Sequence, residues 1–205
     1  LDGLSEMQTL LFEPAAAFRG PRDYVHSTDI YEEIMAGARY HGVALDCGLD
    51  LKILNRICYR PVYSFVRDGD VDTADAAAIA LLPGSPWQVK IIETTEPVVA
   101  RKSYDEQKIF NASRIAGNRI SLVEPVGMRP VEIATALSVK FHKFGFPPDP
   151  GTRWLLARLE LSRLFRDEDS VGLAIELERR VGKKMTRSRI VSADGVIGAL
   201  TFILA

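Results

Sequence analysis

The chain has 205 residues, 47% of them hydrophobic and 26% charged, which is the balance of a folded globular protein and excludes fibrous and disordered classes. Lys and Arg number 26 against 27 Asp and Glu, so no long-range field gathers phosphate backbone or anionic lipid, and neither nucleic acid nor a membrane is expected as a partner. No apolar run reaches the roughly 18 residues that span a bilayer, and no basic stretch leads into an apolar one at the start, which predicts a cytoplasmic location.

Residues 1–26 carry Pro14, Gly20 and Pro21 around a small Ala-rich segment and read as an N-terminal arm, with 27–205 as a single domain. Ser27 or Thr28 is placed to cap a helix from Asp29 to His41, with Ile30, Tyr31 and Ile34 at helical spacing and Gly42 as its stop. Residues 49–58 fit no single period, whereas Val62 to Val66 is β-branched and aromatic and follows Pro61, as a strand would. Thr73 to Leu82 is rich in alanine, follows Asp72 and ends at Pro83-Gly84, which predicts a helix. Cys47 and Cys58 form no CxxC and have no histidine pair nearby, so they are expected as buried thiols.

Trp87 to Thr94 and Val98 to Lys102 form a candidate hairpin bending near Thr95-Glu96-Pro97. Ser103 to Glu106 has the form of a capping box, predicting a helix to Ala116 before Gly117-Asn118. Pro130 suits the first turn of a helix over Val131 to Phe144, which Gly145 and Pro147-Pro148 end. Leu155, Ala157, Leu159 and Leu161 then alternate with polar residues, and Val171, Leu173, Ile175 and Leu177 point away from Glu176, Glu178 and Arg180, each a half-buried strand. Asp194-Gly195 reads as a type I′ turn, and counting outward sets Arg189 opposite Leu200, Arg187 opposite Phe202 and Ser188 opposite Thr201. The fold class is therefore α+β, an antiparallel sheet with helices packed on one face, ending in a four-strand meander.

Arg187 and Arg189 on one strand face offer paired guanidinium donors to a carboxylate, or else pair across strands with Glu176 and Glu178. Ser188 and Thr201 share the other face, where they bind a ligand or each other. Lys90 stands near Trp87, Glu93, Arg101 and Lys102, a basic cluster or a salt-bridge ladder. These residues suggest a pocket for a small anionic metabolite between helices and sheet, with Arg187, Arg189 and Lys90 supplying charge. His26 and His41 lack an acidic ligand at zinc-like spacing, and Walker, dinucleotide and Gly-x-Ser-x-Gly patterns are missing, so neither a metal nor a cofactor is expected. Glu132 and His142 lie at opposite ends of the Val131 helix, where each first of all complements its dipole.

Val62 to Val71, Leu81-Leu82-Pro83, Trp87 to Ile92 with Glu96 to Arg101, Gly127 to Val131 and Thr186 to Arg189 with the Asp194-Gly195 turn together resemble the chorismate lyase-like superfamily. That resemblance implies a helix-and-sheet ligand pocket. The basic residue the lyases use on the central strand would fall near Val89 or Lys90, and Thr201 stands where their acidic residue is expected, so the resemblance implies the pocket and not the lyase reaction. A long helix followed by four antiparallel strands also describes the hot-dog architecture, which implies an acyl-thioester hydrolase, dehydratase or acyl binder with Glu132 or His142 as candidate acid or base. That fold pairs through its sheet edge, so a homodimer is expected on this alternative.

Overall fold

The computed structural model describes residues 8–45, 48–69 and 72–205. It divides into two compact units, Leu1–Tyr104 and Asp105–Ala205. The first contains, in order, β1 (Gln8–Phe12), β2 (Phe18–Arg19), α1 (Ser27–Tyr40), β3 (Leu49–Ile53), β4 (Tyr59–Arg67), β5 (Ala76–Leu81), β6 (Trp87–Pro97) and β7 (Arg101–Lys102). Its long strands form an antiparallel sheet ordered β1-β4-β6-β5-β3, while β2 and β7 make a short parallel pair. The described part of the expected arm thus supplies the edge strand β1, in register with β4.

Ile30, Ile34 and Ala38 recur one turn apart on α1 and are buried, which turns that stripe toward the sheet. Gly37 permits the contact to be close: a Cβ there would lie 2.7 Å from the Phe65 ring of β4. The N-cap is His26 rather than Ser27 or Thr28, its ring accepting the Thr28 amide. The helix expected over 73–82 is instead strand β5, paired with β3 on one side and β6 on the other. Ala76 to Ala80 are buried on both faces, and ladder pairing on two sides with two-sided burial outweighs alanine's helix preference of at most about 0.7 kcal/mol per residue. The second expected hairpin is also revised, because β6 runs on to Pro97 and pairs with β4 and β5, and Arg101-Lys102 leaves the sheet to join β2. Cys58 is exposed rather than buried, and Cys47 lies outside the described residues.

The second unit contains α2 (Glu106–Asn111), β8 (Ser113–Ala116), β9 (Arg119–Leu122), α3 (Pro130–Gly145), β10 (Trp154–Leu161), a 3₁₀ turn (Asp167–Ser170), β11 (Ala174–Val181), β12 (Met185–Ser192) and β13 (Gly195–Leu204). Its strands are antiparallel in the order β10-β13-β12-β11-β9-β8. The helix expected from Ser103 to Ala116 stops at Asn111; Asp105 caps it, and Gly117, at φ 60°, makes the turn of the β8–β9 hairpin. The expected four-strand meander is a three-strand one, β11-β12-β13, with β10 on the far side of β13. Gly198 allows that neighbour, since a Cβ there would come within 2.2 Å of the Glu160 carbonyl oxygen.

Two bulges decide which side chains share a face. The terminal hairpin turns at Ala193-Asp194, with Gly195 at φ 107° paired to Ser192, and the ladder slips between Ile190 and Val191. Arg187 therefore stands opposite Thr201, Ser188 opposite Leu200 and Arg189 opposite Ala199, one residue out of step with the count from an Asp194-Gly195 turn. A second slip between Leu177 and Arg179 on β11 sets Leu177 opposite Ser188 and Arg180 opposite Thr186. Arg180 consequently shares the face of Leu177 instead of pointing the other way. None of the described helices is long and apolar enough to cross a membrane.

Candidate functional site

Arg187, Arg189 and Thr201 lie together on the outer face of the second sheet. Arg187 donates to Glu160 on β10 and, at 3.1 Å, to Glu178; Arg189 lies 3.7 Å from Glu178. The pair with Glu160 raises the Arg187 pKa further, so this guanidinium is already committed to two carboxylates. Glu176, the other expected partner, is bound to Arg119. Ser188 is buried on the opposite face with Thr186, beneath α3, and so does not meet Thr201. Lys90 belongs to the first unit, on β6, and forms an ion pair with Asp75. Glu132 accepts the Arg129 amide at 3.1 Å, closing the first turn of α3.

His142 is 1% exposed on the inner face of α3. Its Nε2 shares a 2.6 Å hydrogen bond with the Thr186 hydroxyl, and its ring stacks on Trp154 with centroids 4.5 Å apart. Burial lowers its pKa to about 4, and the Ser138 carbonyl one turn back offsets only part of that. The residue is a neutral ring of the core. Thr135, on the same helix, buries a hydroxyl that finds no hydrogen-bond partner.

Past the end of α3 opens a cavity of about 330 Å³, walled by Ile115, Phe141, Phe144, Phe146 and Leu177, with Gly117, Asn118 and Gly145 completing it. Its one polar side chain, Asn118, donates at 3.3 Å to the Leu177 carbonyl, so the wall offers an occupant little but hydrocarbon. Phe144 is 70% exposed and Ile115 37%, an unusual exposure for large apolar groups that line one cavity. Phe146 is held by its backbone, whose carbonyl accepts the Trp154 indole N–H at 2.8 Å. The Arg180 guanidinium, brought to this face by the β11 bulge, lies 4.4 Å from the Phe146 ring centroid. Sequence reasoning missed this site because one wall, Ile115, Gly117 and Asn118, comes from a hairpin read as helix.

The first unit holds a second polar centre, at the start of α1. Arg19 grips the Asp29 carboxylate with Nε and Nη2, at 2.6 to 3.0 Å, and Lys102 reaches the same carboxylate at 2.7 Å. Burial alone would raise the Asp29 pKa, but the hydrogen bonds from Arg19 and Lys102 prevail and hold it low. His26 beside it has its pKa lowered to about 3 by burial and then by Arg22 and Arg19. Asp29 is thus a saturated anion, fixing β2, β7 and α1 to one another. Among the described residues no group of His, Cys, Asp and Glu is arranged to hold a metal ion.

No known protein family and no curated protein matches the sequence. Solved structures similar to the chain include the dehydratase domain of the polyketide PpsC from Mycobacterium tuberculosis, at 12% identity and TM-score 0.49, covering 100% of this chain and 94% of that one. A tesB protein of Mycobacterium avium subs paratuberculosis is similar at 8% identity and TM-score 0.49, covering 97% and 94%. An acyl-ACP thioesterase from Bacteroides thetaiotaomicron is similar at 8% identity and TM-score 0.42, covering 97% and 98%. The expected resemblance to the chorismate lyase-like superfamily is corrected: the terminal register it leaned on is shifted by the two bulges, and the similar structures named above are dehydratase and thioesterase proteins.

Proposed function

We propose that the chain is a hot-dog-type acyl binder that holds an apolar acyl chain in the cavity at the C-terminal end of α3. The arrangement of each unit supports that architecture, with one long helix laid against an antiparallel sheet. The observation that carries the ligand class is the cavity wall: five large apolar side chains, two of them exposed, and a single amide already tied to backbone. Its volume of about 330 Å³ is at the lower end of the roughly 300–1,000 Å³ range of small-molecule sites, which suits a hydrocarbon chain rather than a whole nucleotide.

The geometry favours binding over hydrolysis. Glu132 is engaged at the helix start, and His142 is buried against Trp154 and Phe202, so neither lines the cavity. The test is titration of a fluorescent fatty-acyl probe into the wild type and into Leu177→Trp, which fills the cavity from the β11 side. Saturable binding lost in Leu177→Trp, with no thiol released from an acyl thioester, is the expected result. Equal binding by both proteins would place the chain elsewhere, and turnover would return the protein to the enzymes.

A further inference from the structure

Against Phe146, one wall of the cavity, lies a guanidinium whose position is set by a break in strand parity, that of Arg180. Arg180 follows Leu177 on β11 by an odd number of residues, and in a regular strand the two would point to opposite faces. The bulge between Leu177 and Arg179 inserts one residue against β12, so that Arg179 opposes Arg187 on the outer face while Arg180 opposes Thr186 on the face that bears α3. Its guanidinium then packs 4.4 Å from the ring centroid of Phe146, a residue of the cavity wall. No carboxylate of the described residues pairs with Arg180. Glu178, one position from Arg179, is taken by Arg187 and Arg189, and Glu176 by Arg119.

We infer that Arg180 reads an anionic head group on the occupant, so that the cavity takes an amphiphile with a hydrocarbon tail and a carboxylate at its mouth. This rests on the acyl-chain reading of the cavity and narrows it to the free acid. An arginine stacked on an aromatic ring keeps its fork of N–H donors in one plane and free at the rim, which is the geometry a carboxylate accepts in two hydrogen bonds. A thioester carbonyl is neutral, and the phosphates of a coenzyme A ester lie a full pantetheine arm beyond it. The guanidinium beside the Phe146 wall therefore matches a carboxylate attached directly to the tail.

The experiment compares decanoate, 1-decanol and decanoyl-coenzyme A by displacement of the fluorescent probe from wild type, Arg180→Gln and Arg179→Gln. Both substitutions remove one positive charge from neighbouring positions on opposite faces of the same strand, so the second controls for net charge. The expected result is that Arg180→Gln weakens decanoate roughly threefold to tenfold against an unchanged decanol, while Arg179→Gln leaves the ratio of the two as in wild type. Loss of the preference in both variants equally, or in neither, would overturn the role of Arg180. So would coenzyme A ester binding that alone responds to Arg180→Gln, because the anion would then be a phosphate. Failure of decanol itself to bind the wild type overturns the cavity reading on which the inference stands, and is distinguished by that neutral ligand.

Discussion

His142 and Trp154 lie face to face, their planes 23° apart, with Phe202 closing on the imidazole at 4.9 Å. The stack keeps water from the ring, so burial lowers the His142 pKa to about 4. An unfolded chain titrates its histidines near 6.5, and as pH falls the unfolded state therefore takes up the proton first. The contribution to stability is complete above pH 6.5 and is lost progressively as pH falls from there through about 4. Between pH 7 and pH 5 the His142 share of the loss is about 2 kcal/mol. His26, lowered to about 3 by burial and by Arg22 and Arg19, acts in the same direction. Urea unfolding at the two pH values should show the decline in the wild type and a visibly flatter one in His142→Phe, which keeps the stack and removes the titration. A slope unchanged by that substitution would mean that the ring is reached by solvent.

The Gly198 position tests how tightly β10 and β13 are joined. An added Cβ would lie 2.2 Å from the Glu160 carbonyl oxygen and 2.8 Å from the Leu161 side chain, and backbone cannot rotate aside as a flexible side chain does. Gly198→Ala should cost about 2–3 kcal/mol, the range of an overpacked core, and lower Tm by roughly 5–10 °C for a chain of this length. Gly37→Ala on α1 meets ring atoms of Phe65 and Phe12 instead, which can shift, and should cost less. Thermal unfolding followed by circular dichroism orders the two; the reverse order would show that α1 is the more rigidly seated element.

Much of this fold was legible in the sequence where one period ran unbroken. α3 was marked at both ends by Pro130 and Gly145, and the strands from Trp154 onward by an alternation that slips only at Leu156/Arg158, Leu177/Arg179 and Ile190/Val191. What escaped were the places where a local signal met a nonlocal partner. Ala76 to Ala80 has a helical composition, and only the pairing of β5 with β3 and β6 makes it a strand. Gly117-Asn118 looked like a helix stop and is a hairpin turn, because α2 ends one turn after its Asp105 cap. The candidate site suffered most, since parity is counted residue by residue and one bulge inverts everything beyond it. Arg187 kept its strand and lost its expected partner Phe202; Arg180, expected to point away from Leu177, shares its face and packs on Phe146. No composition signal marks either bulge.

Asp29 and its two cations give a prediction about stability in the first unit. Arg19 and Asp29 are each 5% exposed, and Asp29 pairs with both Arg19 and Lys102. Removing one partner of a buried pair leaves the other charge without compensation, at a cost of about 3–5 kcal/mol. Asp29→Asn should therefore unfold the first unit at markedly lower urea, whereas Lys102→Gln, at the half-exposed end of the network, should cost under about 1 kcal/mol. Chemical denaturation followed by fluorescence measures both; similar small losses would show that Arg19 reaches solvent when Asp29 is neutral.

The cavity makes its own prediction through its size. Each methylene moved from water onto an apolar wall contributes about 0.8 kcal/mol, close to a fourfold gain in affinity, for as long as there is wall to meet it. With a volume of about 330 Å³, the gain must stop once the cavity is full. A series of straight-chain carboxylates should thus tighten steadily with length and then level off, and the break marks the depth. Leu177→Ala deepens the cavity, so its break should move to a longer chain while the slope before it stays the same. Phe144→Ala opens the mouth instead, where the ring is 70% exposed, and should weaken every member of the series by a similar factor without moving the break. Isothermal titration across the series separates slope from break. A gain that continued past any fixed length in all three proteins would mean that the chains lie along an open surface and not in this cavity.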